Sequence, residues 1–318
     1  MSKRLIKLSL TIMLVAGILL GFGVKLATNS AKTSSQPSVT RKSHQTKHQT
    51  ANTVSAKVNV PTILIHGVGG SFKSEIPMMK EAVKKGYAQW GLVVHVKANG
   101  EVTTRGTLKN KPNPIILVRF NNNVAGEVQD AKWIKNVLTT LKTKYDVTEY
   151  NMIGHSMGAY AAVYYEEYYS HDSNQPKLDK LVTLAGPFDG IITARKIRWI
   201  GRVSNSILKL WDDTPNLNRL TATGKPRIIH PEYRLLLAKR NEFPSSAHVL
   251  NMYGNLKNGT NSDGTVTNIS SESLAYLIGS RVASYREKMI TSYDASHYGL
   301  HNDNTEVREQ LYKFLWNK

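Results

Sequence analysis

Short, mostly apolar runs of strand length, separated by stretches with a helical period, constrain the fold of this chain more than any other feature. They fall at Thr62 to Ile65, Ile115 to Phe120, Tyr150 to Ile153, Leu181 to Leu184, Val249 to Tyr253 and Met289 to Tyr293. Helix-period stretches such as Val128 to Lys144 and Tyr160 to Tyr169 lie between them, and an amphipathic helix from Val307 to Trp316 closes the chain. Strands that are continuously apolar have both faces covered, and helical crossovers join parallel neighbours. The pattern therefore predicts an α/β fold with a mainly parallel central sheet. One segment differs: Val93 to Leu108 alternates around Asn99-Gly100, which predicts a hairpin.

The 318 residues carry a formal charge of +19, and nucleic acid is the first partner such a charge suggests. The location of the charge argues against it. Nine of the 42 cations and none of the 23 acids lie in residues 1–57, ahead of the folded region. Lys3, Arg4 and Lys7 precede an apolar stretch from Leu8 to Val24, the layout of a signal peptide or membrane anchor over residues 1–27, so export to the cell surface or beyond is expected. Residues 28–57 are rich in Ser, Thr, Lys, Gln and His and hold almost nothing large and apolar, so they read as a disordered cationic tether. His44 and His48 in that run read as solvated rather than as metal ligands. The absence of cysteine rules out a disulfide framework, a zinc ribbon and a cysteine nucleophile.

Within the folded region, 58–318, the segment Tyr150-Asn-Met-Ile-Gly154-His155-Ser156-Met157-Gly158-Ala159-Tyr160 runs from a strand through G-x-S-x-G into an Ala-rich helix. A serine on so sharp a strand-to-helix turn has its hydroxyl exposed, and the helix N-terminus offers amides to developing negative charge. Ser156 is thus the candidate nucleophile. A second motif, Thr62-Ile-Leu-Ile-His66-Gly67-Val68-Gly69-Gly70-Ser71, ends an apolar strand in a glycine-rich turn. No Gly-Lys-Ser/Thr follows, so it is not a phosphate loop. Beside a nucleophile turn it is the place for an oxyanion-binding amide, that of Val68 opposite that of Met157, with His66 orienting the loop.

A serine nucleophile needs a base and an acid that orients the base. Asp263 lies on a polar turn after the run ending at Tyr253, and His297 follows the next run. Asp189, in Ala185-Gly-Pro-Phe-Asp189-Gly190, is the alternative acid, and His301 the alternative base.

Taken together, Ile65-His66-Gly67-Val68-Gly69-Gly70, Asn113-Pro114, Gly154-His-Ser-Met-Gly158, Ala185-Gly-Pro-Phe188, Ser262-Asp263-Gly264 and His297-Tyr-Gly-Leu-His301 make residues 61–318 resemble the Gram-positive cell-surface hydrolases of the α/β-hydrolase superfamily, a lipase-like group. The resemblance implies the α/β-hydrolase fold and a Ser156, Asp263, His297 triad. Small bacterial lipases similarly place the base at the start of a His-x-Gly-Leu segment, which favours His297.

The function expected is that of an exported serine esterase acting on small-molecule or lipid esters without a metal or organic cofactor. An amidase with the same triad, and a non-catalytic wall-binding protein, are the alternatives. A helical cap is expected over about 190–246. Eleven Lys/Arg against four Asp/Glu between Gly190 and Glu242, interleaved with Ile197, Trp199, Ile200 and Trp211, suit an amphipathic lid facing anionic membrane or wall polymers.

Overall fold

The computed structural model describes residues 60–192, 212–292 and 294–318. The leader expected over 1–27, the tether over 28–57 and much of the expected lid, including Ile197, Trp199, Ile200 and Trp211, lie outside them. Among the described residues no helix is long and apolar enough to cross a membrane.

The strands are β1 (Thr62–Ile65), β2 (Gln89–Val96), β3 (Val102–Gly106), β4 (Pro114–Phe120), β5 (Glu149–His155), β6 (Lys177–Leu184), β7 (Ile191–Ile192), β8 (Asp212–Asp213), β9 (His248–Gly254) and β10 (Ser284–Ile290). The helices are α1 (Ile76–Lys84), α2 (Glu127–Tyr145), α3 (Met157–Tyr168), α4 (Pro231–Lys239), α5 (Asn268–Glu272) and α6 (Thr305–Trp316). Eight strands form one sheet in the order β10-β9-β6-β5-β1-β4-β2-β3, parallel throughout except for the β2–β3 hairpin at one edge. Helices cover both faces, as the apolar strands require.

Alternation along the strands divides the core in two. Ile63, Ile65, Ile116, Val118 and Phe120 join Trp133 and Ile134 of α2 and Tyr160 and Val163 of α3 on one side. Leu64, Ile115 and Leu117 join Met78 and Met79 of α1 and Leu311 and Leu315 of α6 on the other. Because β1 is buried at all four positions, neighbours on both edges and cover on both faces fix its place at the sheet centre. Helix α6 starts where the Asn304 side chain accepts the Val307 amide, a cap of the kind that contributes about 1 kcal/mol.

Two expectations need correction. The run Met289 to Tyr293 is not the last strand, which is displaced N-terminally to Ser284–Ile290 and pairs with β9 from Ser284↔His248 to Ile290↔Gly254. At the sheet edge Arg286 and Glu287 are exposed, and Glu287 is bonded to Tyr285 while Lys288 pairs with Glu306 at 2.8 Å, so apolarity alone misplaced the strand. The insertion after β6 is not free of strands either: β7 and β8 pair in a parallel ladder at its two ends. Two residues per strand are too few to leave a periodic signal.

Asp189 ties this insertion to the sheet. Its carboxylate accepts the Asn218 side-chain amide at 2.9 Å and the His230 backbone amide at 2.9 Å, with His230 Nδ1 at 3.2 Å. Its own amide donates to Ser270 Oγ. Asp189 is fully buried, so these donors replace the water it lost. The hydrogen bond to Asp189 raises the His230 pKa from 6.5 to about 9. The protonated pair therefore stabilises the fold fully below pH 6.5, and that stabilisation is lost as pH rises through 9. Burial pushes Glu166 and Glu232 up to about 8, so ionising them acts in the same direction over the lower part of that range. The melting temperature is expected to fall between pH 6.5 and 9, and His230→Gln to flatten the fall, as thermal melts across that range would reveal.

Candidate active site

The loops at the C-terminal ends of the parallel strands bound a cleft of about 580 Å³. This is where open α/β sheets gather their functional groups. After β5 the chain turns abruptly, and Ser156 takes φ 55 and ψ −125 before α3 begins at Met157. That conformation costs a non-glycine residue on the order of 1–3 kcal/mol. It is held because Ser156 N donates to Leu184 O at 2.9 Å and Ser156 O accepts Ala159 N at 2.9 Å. The flanking glycines make the turn possible. A Cβ on Gly154 would lie 2.6 Å from Ala159 Cα, and one on Gly158 would lie 2.6 Å from the carbonyl oxygens of Ile65 and His66. No side chain fits either place.

Asp263 stands on the turn after β9 and His297 on the loop after β10. His297 Nδ1 lies 2.8 Å from Asp263 Oδ2, while the other carboxylate oxygen accepts the amides of Thr265 at 2.8 Å and Val266 at 2.7 Å. A backbone bond from His297 N to Asp263 O, 2.9 Å, joins the two loops independently of their side chains. Asp263 is buried, whereas the His297 side chain is 19% exposed. With a carboxylate partner, Nδ1 carries the ring proton and Nε2 is left with its lone pair. Ser156, Asp263 and His297 all line the one cleft.

Val68 lines the same cleft, and the amide of Met157 heads α3 immediately after Ser156. The Val68 turn is braced on both sides. Gly69 N donates to Asn123 O and Asn123 Nδ2 to Gly70 O, each at 2.8 Å. His66 Nδ1 donates to Gly67 O at 2.8 Å and its Nε2 accepts Phe120 N at 3.2 Å. Burial lowers the His66 pKa to about 4, so the ring is neutral and can play both parts.

The alternatives are engaged otherwise. Asp189 does not line the cleft and is engaged by Asn218 and His230. His301 does line it, but its Nδ1 donates to Ser74 O at 3.0 Å, and its nearest carboxylate oxygen, on Glu75, is 3.7 Å away, too far for a hydrogen bond.

Sequence reasoning missed Asn123, whose bond to the Val68 turn leaves no local pattern, and Glu75, which is fully buried beside the cleft. In the structure His155 Nε2 donates to His297 O at 3.1 Å and its ring stacks on that of His301 at 4.0 Å.

A family model described as an alpha/beta hydrolase of unknown function (DUF915) matches residues 48–318. The chain belongs to this family. Solved structures agree on the fold. A Listeria innocua protein, 26% identical, superposes with a TM-score of 0.67, covering 81% of this chain and 94% of its own. A Lactobacillus plantarum protein called a cell surface hydrolase is 19% identical with a TM-score of 0.58, covering 82% and 91%. Both come from Gram-positive bacteria. No curated protein matches the chain. The α/β-hydrolase fold and a mainly parallel sheet flanked by helices are thus common to this chain and its relatives.

Proposed function

We propose that this α/β hydrolase is a serine esterase that cleaves carboxylic esters through an acyl-enzyme on Ser156. The observation that carries the reading is the 2.8 Å contact between His297 and buried Asp263 in the cleft that also holds Ser156 on its strained turn. In this mechanism His297 Nε2 takes the Ser156 proton as Oγ attacks the ester carbonyl carbon, and the amides of Val68 and Met157 receive the oxyanion. Collapse of the tetrahedral intermediate expels the alcohol, which takes the proton from His297. Water, deprotonated by the same nitrogen, then attacks the acyl carbon, and the carboxylic acid leaves as Ser156 regains its proton. Asp263 fixes the ring and stabilises the imidazolium. No step calls on a metal or an organic cofactor.

A fluorophosphonate should label the protein and fail to label Ser156→Ala. Asp263→Asn should lower ester turnover by about 10⁴. Asp189→Asn should lower stability while leaving turnover within a few-fold. Equal losses in the two Asp variants, or no labelling of the wild-type chain, would contradict the reading.

We further propose that the enzyme is exported and held at the cell surface by residues 1–57, with the segment around 190–246 forming a cap over the cleft. The cationic excess of that segment and the apolar side chains among its charges support a substrate presented at an anionic surface. Turnover on esters in anionic vesicles should exceed that in neutral vesicles, and the ratio should shrink as salt rises. A ratio that salt does not change would remove the electrostatic part of the proposal.

A further inference from the structure

Beside the proposed triad lies a second cluster of titratable groups for which ester hydrolysis has no use. Glu75, His155 and His301 come from three separate elements: the short helical turn after β1, the end of β5, and the turn Gly299–His301 after β10. All three are buried yet contribute to the wall of the cleft. One ligand atom from each lies within 4.8 Å of the other two.

The hydrogen bonds leave this cluster incomplete. Glu75 is 1% exposed, and neither carboxylate oxygen has a hydrogen-bond partner among the described residues. A carboxylate so placed is costly to hold without a partner. Each imidazole, in contrast, has one nitrogen already committed as a donor: His155 Nε2 to His297 O, and His301 Nδ1 to Ser74 O. That leaves His155 Nδ1 and His301 Nε2 with lone pairs that no described group engages. Histidines that bind metals are held in this way, with the second nitrogen donating to a backbone carbonyl that fixes the tautomer.

We propose that Glu75, His155 and His301 form a binding site for one divalent transition-metal ion, of which Zn²⁺ is the best match, with a further coordination position open to the cleft. Two imidazole nitrogens and one carboxylate oxygen suit zinc, whereas calcium and magnesium call for oxygen donors throughout. A cation at this point would supply the partner that both buried Glu75 carboxylate oxygens lack. The two rings stack at 4.0 Å and His301 approaches Glu75 through Nδ1, at 3.7 Å, so binding through Nε2 requires the His301 ring to turn away from that stack, and His155 carries the movement to the backbone of His297 through its bond to the His297 carbonyl. The ion would thus bias the neighbouring base without being needed for hydrolysis. The assignment does not rest on the esterase reading.

The test is zinc binding by the full chain, produced without an affinity tag and stripped with a chelator. Calorimetric titration with ZnCl₂ and elemental analysis after dialysis should give one tightly held ion per chain. Glu75→Gln and His301→Gln should each weaken that site by more than about tenfold, while His248→Gln, at a half-buried position outside the cluster, should leave it intact. A zinc-dependent rise in melting temperature should accompany binding in the wild type and vanish in the two ligand variants, and circular dichroism would verify their folds. If Glu75→Gln fails to fold, His301→Gln alone decides. Absence of stoichiometric binding in the wild type, or tight binding undiminished in the variants, would overturn the proposal.

Discussion

The close approach of β5, β1 and the start of α3 is the constraint on which the rest of the site depends. Gly154 and Gly158 let the backbone of α3 pass within van der Waals contact of two strands, and only then can Ser156 adopt φ 55. Ser156 N reaches Leu184 O of β6, so three neighbouring strands of the sheet hold the one turn. Strain of this kind persists only where the surroundings over-determine it. Here they do, with Ile65, Ile153 and Ala159 all buried around the turn.

Around that fixed point the other groups are brought in by loops anchored at their bases. The turn after β9 and the loop after β10 leave adjacent parallel strands, so their first residues start side by side. The bonds from His297 N to Asp263 O and from Asn255 N to Ile290 O keep them together. The Asp263 carboxylate is then satisfied by two amides and one imidazole, which keeps a buried charge from being orphaned. On the opposite wall the Val68 turn depends on His66 and Asn123, which hold backbone groups rather than substrate.

Much of this was legible in the sequence because the signals were local. A fully buried strand leaves a continuous apolar run, and the G-x-S-x-G turn sits between such a run and an Ala-rich helix. The order of Ser156, Asp263 and His297 along the chain reflects the order of the strands that deliver them. What stayed hidden is long-range. The edge position of β10 permits charges that disguise it, and the β7–β8 ladder is too short to announce itself. The burial of Glu75 depends on a segment more than two hundred residues away, since His301 is bonded to its neighbour Ser74. The role of Asp189 was ambiguous for the same reason: only the return of Asn218 and His230 to its carboxylate distinguishes a clamp for the insertion from an acid facing the base.

Of all these elements the proposed chemistry turns on one atom, the Oγ of Ser156, which that proposal has becoming covalently acylated by an ester. Mixing the protein with an activated ester, quenching in acid within milliseconds, and locating the adduct by peptide mass spectrometry tests this directly. The account predicts an acyl group on Ser156 that forms before steady state and disappears as substrate is exhausted. Turnover with no adduct on Ser156, or a transient adduct on a different residue, would contradict it.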